Sequence, residues 1–182
     1  MRGYFRESKA LALLDNLVIR HPDVPDFLAS QARLHHKLGS FYRQMERWEE
    51  AESSFRKAVD LQRALVTQFP ESTYYAVWTA TFRLALADAL MRREQPGEAV
   101  SELQGAIADL SLQVKRQPTM ISLHELLVAA YGQLEIAWRQ TGQVPLADEA
   151  ARQAEQERAL APLDSGWTRQ PAADETPKTT KR

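Results

Sequence analysis

The sequence predicts an all-α protein built by stacking antiparallel helix pairs, and three observations carry this prediction. Proline recurs at positions 22, 70 and 118, at a constant interval of 48 residues, and the flanking residues superimpose. Apolar residues within each copy recur at three and four residues, the spacing of amphipathic helices. No stretch of sequence alternates with period two for long enough to indicate a strand. One helical unit stacked on copies of itself is therefore expected.

The repeat register divides the chain into five parts. Residues 21–68, 69–116 and 117–162 are each expected to form one pair of antiparallel helices of about 20 residues, roughly 30 Å long. Residues 1–20 align with the second helix of a copy and are interpreted as part of an incomplete repeat. Residues 163–182 are rich in Pro, Thr, Ala and charge. That composition predicts a disordered C-terminal tail.

The first copy contains recognisable helix boundaries. Asp23 is predicted to cap a helix that has Pro25 in its first turn and Asp26 near the positive end of its dipole. The apolar pattern breaks at residues 45–47, and a second amphipathic helix is expected from Trp48.

The second and third copies repeat this plan with different residues. Ser72 is the predicted cap of the second copy, and its turn is expected at Pro96-Gly97. In the third copy the cap is either Thr119 or the capping box from Ser122 to Glu125. A turn is expected at residues 141–142, where Gly142 can end a helix.

The two ends of the predicted stack differ. Residues 4–20 align with a second helix, with Leu13 on Leu61 and Leu17 on Leu65, but no first helix precedes them. We therefore expect exposed apolar surface there, self-association through this N-terminal helix, and a chain that is the C-terminal end of a longer array or follows an upstream domain. The last helix, rich in Ala, Glu, Gln and Arg, is interpreted as a solvent-facing cap.

Composition restricts the class of function. The net charge of −1 argues against a nucleic-acid-binding protein, since such proteins usually carry a basic excess. The chain contains no cysteine, which excludes disulfides, thiolate catalysis and cysteine-ligated zinc. Its apolar runs are far shorter than a membrane span, and no signal-peptide pattern is present. A cytoplasmic protein without membrane or nucleic-acid partners is expected.

No residue pattern indicates catalysis, a cofactor or a metal. His35 and His36 are adjacent on a helix and point in different directions, and His124 lacks a second histidine at the zinc-protease interval. The four histidines are interpreted as surface or interface side chains. The acidic run from Glu46 to Glu52 is interpreted as a solvated helix face. The tryptophans at positions 48, 78 and 138 are interpreted as helix-packing residues.

Large and small apolar residues alternate at fixed intervals within each copy. In the first copy the small residues allow two helix backbones to approach, and the large ones fill the gap to the neighbouring helix. This spacing resembles the tetratricopeptide repeat (TPR), which implies a right-handed superhelical α-solenoid. The repeat-packing residues are Leu38, Gly39, Tyr42, Ala51, Phe55 and Ala58, then Leu86, Leu90, Ala99, Leu103 and Ala106, then Tyr131, Leu134, Trp138, Ala147 and Ala154.

The chain departs from the family pattern in three ways. Glu135 occupies the place of the signature glycine, and Ala151 replaces the large residue of the second helix. The repeat is 48 residues long where the family's is 34. Lengthened repeats of this kind resemble the TPR arrays of bacterial serine/threonine kinase-associated proteins. The kinase's own sequence motifs do not occur in this chain.

The resemblance also implies a peptide-binding groove along the first helices of successive pairs. The transferred positions include Arg33, His36, Ser40, Arg43, Asp88, Arg92 and Arg139, together with Lys37, Thr81, Leu84, Met91, Gly132, Gln133, Ile136 and Gln140. His36 and Ser40 replace the Lys and Asn with which some members grip a terminal carboxylate.

The groove has two interpretations at the sequence level. Arg43, Arg92 and Arg139 recur in nearly the same register, which would line cations along one wall and favour an acidic partner segment. Alternatively, each arginine simply suits the negative end of its helix dipole.

The leading hypothesis from sequence is a non-enzymatic scaffold that binds a protein or peptide partner. The alternative is the C-terminal regulatory or interaction region of a bacterial serine/threonine kinase whose kinase domain is not in this chain. A third hypothesis, an all-α enzyme, rests on the histidines alone.

Overall fold

The chain folds as consecutive antiparallel helices. The computed structural model describes residues 13–14, 16–21 and 24–161. Within them, residues 13–14 and 16–20 are helical, and no strand occurs. None of the described helices is both long and apolar enough to cross a membrane. The predicted C-terminal tail at 163–182 lies outside the described residues. The helices are α1 (Pro25–Gln44), α2 (Trp48–Gln68), α3 (Thr73–Arg92), α4 (Pro96–Arg116), α5 (Ile121–Gln140) and α6 (Val144–Leu160).

The helices begin by different means, and two of the predicted caps are wrong. Ser72 caps α3 as expected, because its side chain accepts a hydrogen bond from the backbone N–H of Tyr75 at 3.5 Å. Val24 is the N-cap of α1 and Met120 that of α5, and neither makes a side-chain cap bond. Proline at the first turn of α1, α4 and α6 lacks an N–H that would otherwise need a partner.

The turn inside each helix pair contains one residue in the left-handed conformation. These residues are Glu46 (φ 57°), Glu94 (φ 60°) and Gly142 (φ 73°), at the same register position of each pair. Glycine adopts this conformation without steric cost, whereas a side chain with a Cβ costs about 1–2 kcal/mol there. The turn geometry is therefore common to the three pairs, although only the third has the residue that favours it.

The helix packing creates an inner and an outer layer. Each of the six helices packs against its neighbours in sequence, and α1 also contacts α3, as α3 contacts α5. Across the described residues, the backbones of α2, α4 and α6 make no such contact with one another. Because the first helices of the pairs lie closer together, their side is the concave face of the stack.

The core follows the small and large positions of the repeat. Phe55, Ala51 and Ala58 have no exposed surface, and Leu38 is 8% exposed. Tyr42, Tyr131 and Trp138 are partly buried against the main hydrophobic cluster. The remaining repeat-packing residues are buried: Gly39, Leu86, Leu90, Ala99, Leu103, Ala106, Leu134, Ala147 and Ala154.

The size of the residues at the helix crossing changes in opposite directions along the chain. The first helices carry Gly39, then Ala87, then Glu135, while the second helices carry Phe55, then Leu103, then Ala151. A Cβ built on Gly39 would lie 2.6 Å from ring atoms of Phe55, so the backbone of α1 and this ring touch directly. In the third copy the Glu135 side chain is partly exposed and accepts a hydrogen bond from Arg139.

Long charged side chains connect the outer helices. Arg56 of α2 donates to Glu98 of α4 at 2.5 Å, and it also donates to Glu52 at 2.8 Å. Glu52 is only 8% exposed and is also paired with Arg93, so its assignment to a solvated face is wrong. Burial raises the pKa of Glu52, but hydrogen bonds from Arg56 and Arg93 lower it by more, to a net value below 4.5.

The last helix that the structure describes presents an exposed, charged face where α2 presents a buried one. Val59 and Gln62 of α2 are each 1% exposed, whereas Glu155 and Arg158 at the same register positions of α6 are exposed. This difference is the one expected of a capping helix. At the other end, Leu17 is 36% exposed, although Leu65 at the same position of the next pair is completely buried.

We predict opposite effects for the same substitution at two helical glycines. Gly39→Ala should lower the free energy of unfolding by about 1 kcal/mol or more, because overpacking against Phe55 outweighs the better helix propensity of alanine. Gly132→Ala is the matched control: nothing lies within 4 Å of its added Cβ, so it should gain about 0.5–1 kcal/mol. Urea unfolding measures both. Equal stabilisation by the two variants would contradict the tight crossing.

Candidate functional site: the groove of the first helices

Two pockets lie along the concave face. The first pocket, about 460 Å³, lies between α1 and α3, and the second, about 740 Å³, lies between α3 and α5. The first pocket is lined by Arg33, His36, Lys37, Ser40, Phe41, Gln44 and Trp78. The second pocket is lined by Asp88, Met91, Arg92, Glu94, Pro96, Gln133, Ile136 and Gln140.

Most of the groove positions transferred from the TPR resemblance line one of these pockets. Arg33, His36, Lys37 and Ser40 line the first pocket. The second pocket takes six of the others: Asp88, Met91, Arg92, Gln133, Ile136 and Gln140. Five transferred positions line neither pocket: Arg43, Thr81, Leu84, Gly132 and Arg139. Leu84 is 8% exposed and belongs to the core, because it is enclosed in the main hydrophobic cluster.

Two of the three recurring arginines interact with residues of this chain at the groove. Arg43 lies 3.5 Å from a carboxylate oxygen of Asp88, which joins α1 to α3. The guanidinium of Arg92 lies 5.6 Å from the ring centroid of Trp48 and still borders the second pocket. Arg92 therefore lies against an aromatic ring, and Arg43 forms an ion pair with Asp88.

The third arginine is directed toward the last helix. Arg139 donates to Glu135 at 3.0 Å and to Asp148 of α6 at 3.1 Å. The expected wall of three cations facing a partner is therefore not what the structure contains, because two of the arginines are paired with carboxylates of the chain itself. Exposed pairs of this kind contribute little stability, about 0–1 kcal/mol each.

The cations without such a partner lie in the first pocket. Arg33 donates to the hydroxyl of Tyr74 at 2.5 Å and to that of Ser30 at 2.9 Å, and both acceptors are neutral. Lys37 is exposed. Neither cation forms an ion pair within the part of the chain that the structure describes. The pocket also has an aromatic wall, Trp78, so it combines positive charge with apolar surface.

His36 forms part of the same wall in its neutral form. Its ring stacks on Phe82 at a centroid distance of 4.8 Å and lies 5.5 Å from Phe55. Burial, together with the charge of Arg43, lowers the pKa of His36 from 6.5 to about 4. At neutral pH this imidazole adds no positive charge where some TPR proteins place a lysine.

Sequence reasoning missed the role of His124. This side chain is 3% exposed at the start of α5. Its Nδ1 lies 2.6 Å from Oε2 of Glu157 on α6, and its Nε2 lies 2.9 Å from the carbonyl oxygen of Pro118. Both neighbours accept hydrogen bonds, so only the doubly protonated ring satisfies both. His124 thereby joins α6 to the turn between α4 and α5.

Protonation of His124 is favoured by these two contacts. Burial lowers the pKa of His124, but the hydrogen bonds to the Pro118 carbonyl and to Glu157 raise it by more, so that its net pKa lies above 6.5. His35 is also buried, at 8% exposure. Among the described residues, no group of three His, Cys, Asp or Glu side chains is placed to hold a metal ion.

Comparison with known proteins supports the class of fold. Residues 32–65, which run from α1 into α2, match the family model described as tetratricopeptide repeat. Together with the stacked helix pairs and the concave groove, this match supports a TPR-type helical-repeat protein. No match to a curated protein is found.

A solved structure also resembles the chain. It is the crystal structure of BtubC (BKLC) from P. vanneervenii, which is 15% identical, and the alignment covers 100% of this chain and 83% of that chain. The TM-score is 0.33, so no inference about this chain follows from that similarity.

We predict an acid-side loss of stability from His36. The unfolded chain binds a proton near pH 6.5, whereas the folded chain does so only near pH 4. The free energy of unfolding should therefore fall as the pH is lowered from 6.5 to 4. His36→Phe keeps a ring in the stack and should reduce this slope. Urea unfolding at a series of pH values measures it, and an unchanged slope in the variant would contradict the assignment.

We predict the opposite dependence for His124. Because its folded pKa is raised, its contribution to stability is fully present below pH 6.5 and is lost as the pH rises through the folded value. Unfolding followed above pH 6.5 should show this decline in the parent and not in His124→Gln. Glu157→Gln keeps the side-chain size and should move the decline to lower pH. Identical profiles for all three proteins would refute the contact.

Proposed function

We propose that the chain is a non-enzymatic, cytoplasmic scaffold that binds a protein partner along the concave face of α1, α3 and α5. The observation that carries the proposal is the pair of pockets between these helices, lined largely by the positions at which TPR proteins bind peptides. The match of residues 32–65 to the tetratricopeptide repeat supports the same interpretation.

The charge of the first pocket supports an acidic partner segment. Arg33 and Lys37 line the first pocket and form no ion pair within the described chain, and the imidazole of His36 in the same lining is neutral at pH 7. A carboxylate placed between these two cations would gain charge-assisted hydrogen bonds, which are the stronger class. The attraction also accelerates encounter with an acidic surface.

Two further proposals concern larger assemblies. The corresponding helices start 48 residues apart, at Pro25, Thr73 and Ile121, which suits the lengthened repeats of kinase-associated TPR arrays. A kinase domain encoded just upstream would support the interaction-region alternative, and its absence there would remove it. Self-association is suggested by Leu13 and Ile19, which are 61% and 79% exposed. Analytical ultracentrifugation of a Leu13→Ser/Ile19→Ser variant tests that proposal, because it predicts a parent dimer that the variant lacks.

We predict that charge reversal in the first pocket abolishes partner capture. The immobilised parent should retain at least one protein from a lysate of its source cell, and Arg33→Glu/Lys37→Glu should not. The matched control, Lys57→Glu/Lys115→Glu, makes the same change in net charge on the exposed faces of α2 and α4 and should capture like the parent. Equal loss in both variants, or equal capture by all three proteins, would contradict binding in the groove.

A further inference from the structure

The two pockets differ in charge and in chemistry, which constrains what can occupy both. We infer that the partner segment carries a carboxylate side chain for the first pocket and, about five residues along the same extended chain, an aliphatic side chain for the second. This inference rests on the proposed function and specifies the partner of that groove.

The first pocket selects the carboxylate. Arg33 and Lys37 supply two cations one turn apart on α1, and no acidic side chain lines this pocket. The hydrogen bonds from Arg33 to Tyr74 and Ser30 hold the guanidinium in place without neutralising it. Trp78 forms an apolar wall beside them, which lowers the local dielectric constant and strengthens an ion pair formed there.

The second pocket selects an uncharged side chain. Its apolar lining comes from Met91, Pro96 and Ile136, and Ile136 is 54% exposed, so that burial by a partner would remove apolar surface from water. Its lining contains Arg92 and Glu94, which carry opposite charges, and Asp88, which is paired with Arg43. A second carboxylate would meet Glu94 and Asp88, and a cation would meet Arg92.

The spacing follows from the shared helix. Both pockets border α3, but the first meets it at Trp78 and the second at residues 88–92, so they lie about 15–21 Å apart along that helix at 1.5 Å per residue. An extended chain advances about 3.3 Å per residue, so about five residues are needed to span that distance. The expected pattern is therefore an acidic residue, about four arbitrary residues and an aliphatic residue.

A set of labelled peptides tests the inference by fluorescence anisotropy. The lead peptide is fluorescein-Gly-Ser-Glu-Ser-Gly-Ser-Gly-Leu-Ser-Gly, with Glu and Leu about five residues apart. Comparison peptides place Glu and Leu next to each other, replace Leu by Glu, or replace Glu by Lys. The lead peptide should bind the parent at least about fivefold more tightly than each comparison peptide. Equal affinity for the lead and the adjacent-residue peptide would overturn the spacing.

Matched variants assign each side chain to its pocket. Arg33→Glu/Lys37→Glu should lose the lead peptide and bind the Lys-containing peptide instead. Ile136→Ser should weaken binding of the lead peptide about tenfold. The loss of affinity that follows replacement of Glu by Lys in the peptide should be the same in this variant as in the parent. Glu94→Gln should improve binding of the two-Glu peptide. The assignment of the pockets is wrong if the Arg33→Glu/Lys37→Glu variant ranks the peptides by affinity in the same order as the parent.

The remaining outcomes separate this inference from the proposed function. In one outcome, capture of a lysate protein depends on Arg33 and Lys37, but the parent does not prefer the lead peptide. That outcome contradicts the inferred sequence of the partner segment and leaves the proposed function of the groove supported. Absence of both kinds of binding overturns both. If a second copy of the chain fills the groove, the apparent affinity for the lead peptide will fall as the protein concentration rises, which also overturns the inference.

Discussion

The contact between a small residue of one helix and a large residue of the next is the constraint on which the rest of the structure depends. At the first crossing, the ring of Phe55 touches the backbone of α1 at Gly39. Since no helix pair can bury both of its apolar faces alone, the pair then packs on the next pair. The distances between α1, α3 and α5, and with them the dimensions of the groove, follow from these crossings. The groove is thus a consequence of core packing and needs no element of its own.

Most of the fold could be predicted because the helical period and the 48-residue register both show which residues are buried. This information is contained in the order of apolar and polar residues along each helix. Helix starts without a side-chain cap, at Val24 and Met120, carry no such signal. The glutamates at the left-handed turns also lack a local signal. Alignment of Glu46 and Glu94 with Gly142 could nevertheless have revealed their conformation. The burial of Glu52 depends on Arg93, which is distant in sequence and reaches it only in the folded stack.

The candidate site was predictable in position but less so in charge. The TPR resemblance, carried through the 48-residue register, assigned ten groove positions that line the two pockets. Whether an arginine is free depends on side chains that other helices supply, such as Asp88 for Arg43 and Asp148 for Arg139. The buried contact of His124 was missed for the same reason, since Glu157 lies on another helix. Periodicity predicts where a side chain points and not what it meets.

The polar face of α6 has a consequence for assembly. Glu155 and Arg158 stand where Val59 and Gln62 of α2 support the following helix pair. A molecule that added to this end in the way α3 adds to α2 would have to remove two charges from water without apolar compensation. Head-to-tail polymerisation into fibres, a hazard for any protein made of self-similar units, is therefore opposed at this end of the stack.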